Sequence, residues 1–324
     1  MSSSGGVWKT WSRRIGACVA AVAALAACGG GDTQVEFKPN RVLAFGDELS
    51  YLETDGRKFS INAFRITDSS TNPPTESTTE LDCTRNPVWI QRVASGFGLA
   101  FDRCLGTATQ ASGQVLAQPG AKAADFAAQI AAVQGAGLNE RDLAVVMIGM
   151  HDILELYGRY PAESSAALIE EARNRGQAYG ERINALARSG PAVVVLTVPD
   201  LGLTPFARAQ NTSTGDPGRS RVLSQLTEAY NNRMSVTLVN DGRLIGLVYA
   251  DTETQNIARF PSSFGVSNVI DAACTAALPD CRTDTLVTDA TSTSHMWADD
   301  TRPGPPVQSR LGLLAEARAK NNPF

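Results

Sequence analysis

Histidine is scarce: two residues in 324, His151 and His295. A metal centre built on imidazoles needs more than that. No excess of basic residues exists either, with 29 Lys+Arg against 33 Asp+Glu, and phosphate recognition needs a clustered basic surface. Nucleic acid is therefore not expected as a partner. Aromatics are few, at 6%. Internal repeats, heptads and a nucleotide-binding glycine loop are all missing, and "GGG" at 29–31 reads as linker. Only one apolar run stands out, and it lies at the very start.

That run is "IGACVAAVAALAAC" (residues 15–28), preceded by Lys9, Arg13 and Arg14. It is too short to span a bilayer and the right length for a signal h-region. Its end, Leu25-Ala26-Ala27-Cys28, resembles a bacterial lipobox, in which the cysteine is lipidated and becomes the new N-terminus. Acyl chains anchor at about 0.8 kcal/mol per buried methylene. Residues 1–27 read as a lipoprotein signal peptide, 28–40 as a flexible linker after lipidated Cys28, and 41–324 as a single domain. Gly29 after the cysteine resembles outer-membrane lipoproteins. The expected location is the bacterial cell envelope, on the outer membrane, with the membrane as partner through the lipid. Removing the signal takes away three basic residues and moves the net charge from −4 to about −7.

Cys83, Cys104, Cys274 and Cys281 remain, an even number in an oxidising compartment. Four cysteines allow three pairings. The expected one is Cys83–Cys104 around the helix-like "NPVWIQRVASGFGL", with Cys274–Cys281 closing "CTAALPDC".

Strand-like and helix-like runs alternate along the chain. "RVLAF" (41–45), "DLAVVMIG" (142–149), "PAVVVLTVPDL" and "RLIGLVYAD" (243–251) read as buried strands. "AKAADFAAQIAAVQ", "SAALIEEARNRGQAYGERINALARSG", the start of "RSRVLSQLTEAYNNRMSVTLVND" and "QSRLGLLAEARA" read as helices. Residues 57–85 are polar, with "TDSSTNPPTESTTELD" expected as a surface loop. The alternation predicts an α/β fold with a mainly parallel sheet covered on both faces. Sites in such sheets lie beyond the carboxyl ends of the strands. Asp47-Glu48, Gly149 to Asp152 and Asp200 are expected to gather there.

With these elements placed, "FGDELS" (45–50), "GMHD" (149–152) and "DDTRP" (299–303) resemble, in order and spacing, the three motif blocks of the SGNH or GDSL hydrolases. These are esterases and lipases with a flavodoxin-like three-layer α/β/α fold and no cofactor or metal. The resemblance covers residues 41–324. It places Glu48 at the family's serine, His151 at its asparagine and Arg302 at its histidine, while Asp299 keeps the triad acid. Gly120 stands at the oxyanion glycine, and Asp47 and Asp152 line the site.

The changed positions decide the chemistry. A serine triad needs a hydroxyl nucleophile and an imidazole base. A carboxylate at 48 is a poor nucleophile at acyl carbon, and arginine, with a pKa above about 12, is no base at neutral pH. Glu48 and Arg302 are complementary, however, and are expected to pair, with Asp299 a second acceptor. Such a pair contributes about 0.2–1 kcal/mol if half-exposed. Ser50, two residues on, is expected off the catalytic elbow. His295 shares a strand face with Asp299 at period two, although a packing role is the simpler reading. Trp297 and Tyr51 read either as core or as a ligand wall. A divalent cation on Asp47, Glu48, His151 and Asp152 suits the ligand types, but adjacent Arg302 opposes it. Two functions follow. One is an envelope lipoprotein without ordinary serine-esterase activity, acting as a binding or structural module for an acylated glycan or lipid. The other is an ester hydrolase using an unusual constellation of Glu48, His151, His295 and Asp299.

Overall fold

In the computed structural model, Met1, residues 37–135 and residues 137–324 are described. The signal segment and Cys28 lie outside them. Phe37–Phe324 form one compact unit. Phe37 packs edge-on against Phe97 and Phe324, so packing begins just ahead of the first strand.

Five strands make the central sheet. They are β1 (Arg41–Gly46), β4 (Gly113–Val115), β5 (Asp142–Met147), β6 (Ala192–Leu196) and β7 (Ile245–Val248). Their spatial order is β4-β1-β5-β6-β7 and every pairing is parallel. Counted along the chain this is 2-1-3-4-5, the doubly wound order whose direction reverses between β1 and β5. Strands β1, β5 and β6 are buried almost throughout, which explains their unbroken Val, Leu and Ala runs.

Eight α-helices lie among the described residues. They are α1 (Trp89–Gly96), α2 (Phe126–Gln134), α3 (Met150–Gly158), α4 (Ser165–Arg188), α5 (Pro205–Thr214), α6 (Arg219–Thr237), α7 (Ala250–Arg259) and α8 (Pro305–Asn321). Right-handed crossovers running in opposite directions from β1 place helices on opposite faces. Accordingly α1 packs with α8, while α4 packs chiefly on α6 and also meets α2 and α3. At Gly176 of α4 a Cβ would lie 2.2 Å from the Tyr230 carbonyl of α6, so only glycine permits that approach. Phe45, Phe126, Tyr179 and Tyr230 form a row of ring contacts at 5.6, 5.6 and 6.0 Å that ties β1 to α2, α4 and α6. Each such pair adds about 0.5–1.5 kcal/mol beyond its buried area.

Two sequence expectations change, and one strand of the sheet had gone unread. The polar stretch 57–85 is not all loop: β2 (Phe64–Asp68) and β3 (Thr75–Leu81) form an antiparallel hairpin. Only Phe64 of the hairpin is buried, so the apolar alternation that marks a half-buried strand has no cause to appear. The helix expected directly after Gly120 starts at Phe126, following turns at 121–125. Strand β4, three residues long, was too short to leave a pattern. Beyond the sheet, β8 (Asn268–Ala272) and β9 (His295–Trp297) pair in parallel. Both expected disulfides are formed, Cys83–Cys104 and Cys274–Cys281.

Candidate functional site

Strand β1 ends in a turn that only glycine can make. Gly46 has φ +145°, and a Cβ there would meet the Met147 carbonyl at 2.2 Å. The Gln129 amide of α2 fixes this turn from the side, its Oε1 accepting from Gly46 N at 2.9 Å and its Nε2 donating to Gly46 O at 2.8 Å. Asp47 then caps a single 3-10 turn, Glu48–Ser50, by accepting from Leu49 N at 3.0 Å. The result is a short elbow with Glu48 at its first position, at the switch point between β1 and β5.

Glu48 is 1% exposed and its carboxylate is surrounded by donors. Arg302 donates to Oε1 through Nε at 2.9 Å and Nη2 at 2.6 Å. Gly120 N donates to Oε2 at 2.9 Å. His151 Nε2 lies 2.9 Å from Oε1 and 2.8 Å from Oε2. An ionised carboxylate only accepts, so that nitrogen carries the proton. A carboxylate offers about four lone-pair directions, and these contacts use them all.

Arg302 is held in turn by Asp299. Its Nη1 donates to Oδ2 at 2.7 Å, while the backbone N–H groups of Arg302 and Thr301 donate to Oδ1 at 2.7 and 3.0 Å. The guanidinium also sits 5.8 Å from the Phe59 ring centroid. Ser60 Oγ donates to the Pro303 carbonyl at 3.2 Å, fastening this loop to segment 57–62.

The titration of these groups follows from the geometry. Burial alone would raise the Glu48 carboxyl. The His151 hydrogen bond and the Arg302 charge outweigh it and lower the pKa to about 2. The same hydrogen bond raises His151 above its ordinary value, against burial. Burial would lower Arg302, but the charges of Asp299 and Glu48 raise it. Asp47, 1% exposed, is pushed up to about 8 by burial and then by the Glu48 charge. Its Oδ2 has no hydrogen-bond partner among the described residues. At neutral pH Asp47 is therefore mainly protonated. Arg302 bridges the Glu48 and Asp299 carboxylates.

Other expected site residues are placed elsewhere. Asp152 accepts from Ala123 N at 2.8 Å and lies 3.6 Å from Arg175; it braces the 120s loop against α3. Asp200 does not join the cluster. It accepts from Gly202 N, Ser224 Oγ and Gln255 Nε2 at 3.0, 2.7 and 2.9 Å, which ties the end of β6 to α6 and α7. Ser50 is fully buried and accepts from Trp89 Nε1 at 3.2 Å. His295 is buried with Nδ1 2.8 Å from Ser294 Oγ, and burial lowers its pKa. Trp297 is core, whereas Tyr51 is half-buried. No set of three or more His, Cys, Asp or Glu among the described residues is placed to hold a metal ion. Gln129 went unnoticed in the sequence; its signal was an amide amid the apolar residues of an alanine-rich helix.

Chemically the cluster is closed. Glu48 has no free lone pair to attack a carbonyl or deprotonate water, and Arg302 keeps its proton. Among known proteins, no family model matches the chain and no curated protein matches it.

Proposed function

We propose that this chain is an envelope lipoprotein, anchored through Cys28, whose domain is an SGNH-hydrolase-like fold that has exchanged ester hydrolysis for a fixed ion cluster. It serves as a binding or structural module rather than as an enzyme, with an acylated glycan or lipid as the ligand class. The carrying observation is the saturation of the Glu48 carboxylate by Arg302, His151 and Gly120. The 2-1-3-4-5 strand order supports the fold, and the two disulfides suit an oxidising compartment. The unusual-hydrolase reading needs His295 as a base beside Asp299, yet that imidazole is turned to Ser294.

The test compares the unmodified chain with the double variant E48S/R302H, using short p-nitrophenyl esters and a fluorophosphonate probe. The proposal expects no labelling of the unmodified chain and labelling of the introduced serine in the double variant. Turnover by the unmodified chain refutes it.

A further inference from the structure

A second polar feature lies beside the sealed cluster and takes no part in it. Arg103, next to the Cys83–Cys104 disulfide, places its guanidinium 4.8 Å from the Tyr51 ring centroid and donates Nη1 to the Leu52 carbonyl. These contacts fix the guanidinium in one plane. Among the described residues its Nε and Nη2 make no hydrogen bond, and no carboxylate pairs with it. Other arginines, Arg41, Arg85, Arg175 and Arg302 among them, are paired with carboxylates.

The guanidinium and Tyr51 line a cleft of about 550 Å³ whose other walls include Leu116, Gln118, Pro119 and Ala128. That volume lies in the range of small-molecule sites. The floor is rigid, because Leu116 N and Ala117 N donate to the Ala44 carbonyl and Gln118 N to the Gly46 carbonyl, at 2.8, 2.9 and 3.0 Å. The cleft therefore lies beyond the carboxyl ends of β1 and β4, where open α/β sheets hold their ligands. Gln118 and Pro119 are exposed at its rim. Tyr51 continues to Phe59 at 6.2 Å, so an aromatic pair extends from Arg103 to the edge of the Arg302 site.

We propose that this cleft binds a carboxylate borne on a six-membered ring. The free edge of the Arg103 guanidinium takes the carboxylate through two parallel N–H donors. Tyr51 and Pro119 supply apolar surface for the ring face, and Gln118 at the rim meets polar substituents. Fixing the guanidinium beforehand by its Tyr51 stack and Leu52 bond reduces the ordering cost of binding. The two sources of this chemistry are a uronate unit of a glycan and an aryl carboxylate. The inference gives the module of the preceding section a ligand chemistry. It is read by titration alone, so its failure leaves the esterase assay unaffected.

The experiment titrates the full chain with glucuronate, benzoate and acetate by calorimetry at matched ionic strength. Saturable binding of glucuronate or benzoate, tighter than acetate, is expected, and whichever binds identifies the source. R103M should weaken it roughly ten- to hundredfold, the loss of charge-assisted hydrogen bonds. R103K keeps the charge and a donor for Leu52, and so guards against a folding defect. It should weaken binding at least severalfold, because an ammonium lacks the planar fork. Equal binding by R103K and the unmodified chain, or no ring preference over acetate, overturns the proposal, as does absence of binding.

Discussion

Arg302 reaches across 254 residues of sequence to donate two hydrogen bonds to one oxygen of Glu48, at 2.9 and 2.6 Å. The carboxylate is 1% exposed and the arginine side chain 24%. The pair thus joins the first strand's elbow to the loop before the last helix, and both partners rely on the contact. Replacing Arg302 leaves buried Glu48 with only His151 and Gly120 as donors, and replacing Glu48 leaves Arg302 with only Asp299.

Glu48→Ala is therefore expected to destabilise the chain by about 3–5 kcal/mol, the usual cost of breaking a buried pair from one side. E48Q keeps an acceptor and the shape, and should cost less. Denaturant unfolding at pH 7 measures both. In a cycle with R302A, the double variant should lose less than the sum of the single losses.

Acid should weaken the protein through the same residue. Glu48 has its pKa lowered from 4.5 to about 2. Its stabilisation is present above the ordinary carboxylate value and is lost as pH falls towards 2. His151 runs the other way: its raised pKa contributes stability below the ordinary imidazole value that fades as pH rises through the raised one. E48Q should flatten both limbs of a melting-temperature profile, whereas H151Q should abolish the upper limb and only reduce the lower one, which Arg302 and Gly120 still sustain.

Lys58 predicts a separate dependence. Its side chain is fully buried, donating to the Cys83 carbonyl at 3.0 Å and to that of Arg85. Burial lowers its pKa from 10.5 to about 7. Between those values the unfolded chain binds the proton more readily, so stability should rise with pH from 7 towards 10.5. Lys58→Met should abolish that rise, read as unfolding free energy at pH 7, 8 and 9.

Two glycines separate strain from collision. Gly46→Ala combines φ +145° with a Cβ 2.2 Å from the Met147 carbonyl. It should cost several kcal/mol or prevent folding. Gly120→Ala has φ +78° with no heavy atom within 4 Å of the added carbon, so only the left-handed backbone counts and the cost should be about 1 kcal/mol. Thermal melts of the two variants should differ widely.

The residues most legible in sequence were those whose local pattern and physical cause coincide. The apolar runs of β1, β5 and β6 are continuous because both faces are covered. The disulfide partners bracket a helix and a short loop. The grouping of Glu48, Arg302 and Asp299 could be read because opposite charges at matching positions imply a partner, whereas the His151 contact with Glu48 was not expected. Tertiary placement hid the rest. The solvated β2–β3 hairpin has no buried face to impose a pattern. Asp200 sits after a strand like Glu48 does, yet Ser224 and Gln255 from two helices claim it. His295 shares a strand with Trp297, but its ring turns to the neighbouring serine. Arg103 gave no signal, because its stack on Tyr51 arises only when residues 51 and 103 meet.

We propose that Glu48 holds the site closed and performs no chemistry. The most direct measurement is the initial rate of p-nitrophenyl acetate hydrolysis by the unmodified chain, beside E48Q, across pH 5 to 9. A rate indistinguishable from buffer is expected for both proteins at every pH. A rate above buffer in the unmodified chain that disappears in E48Q would contradict it.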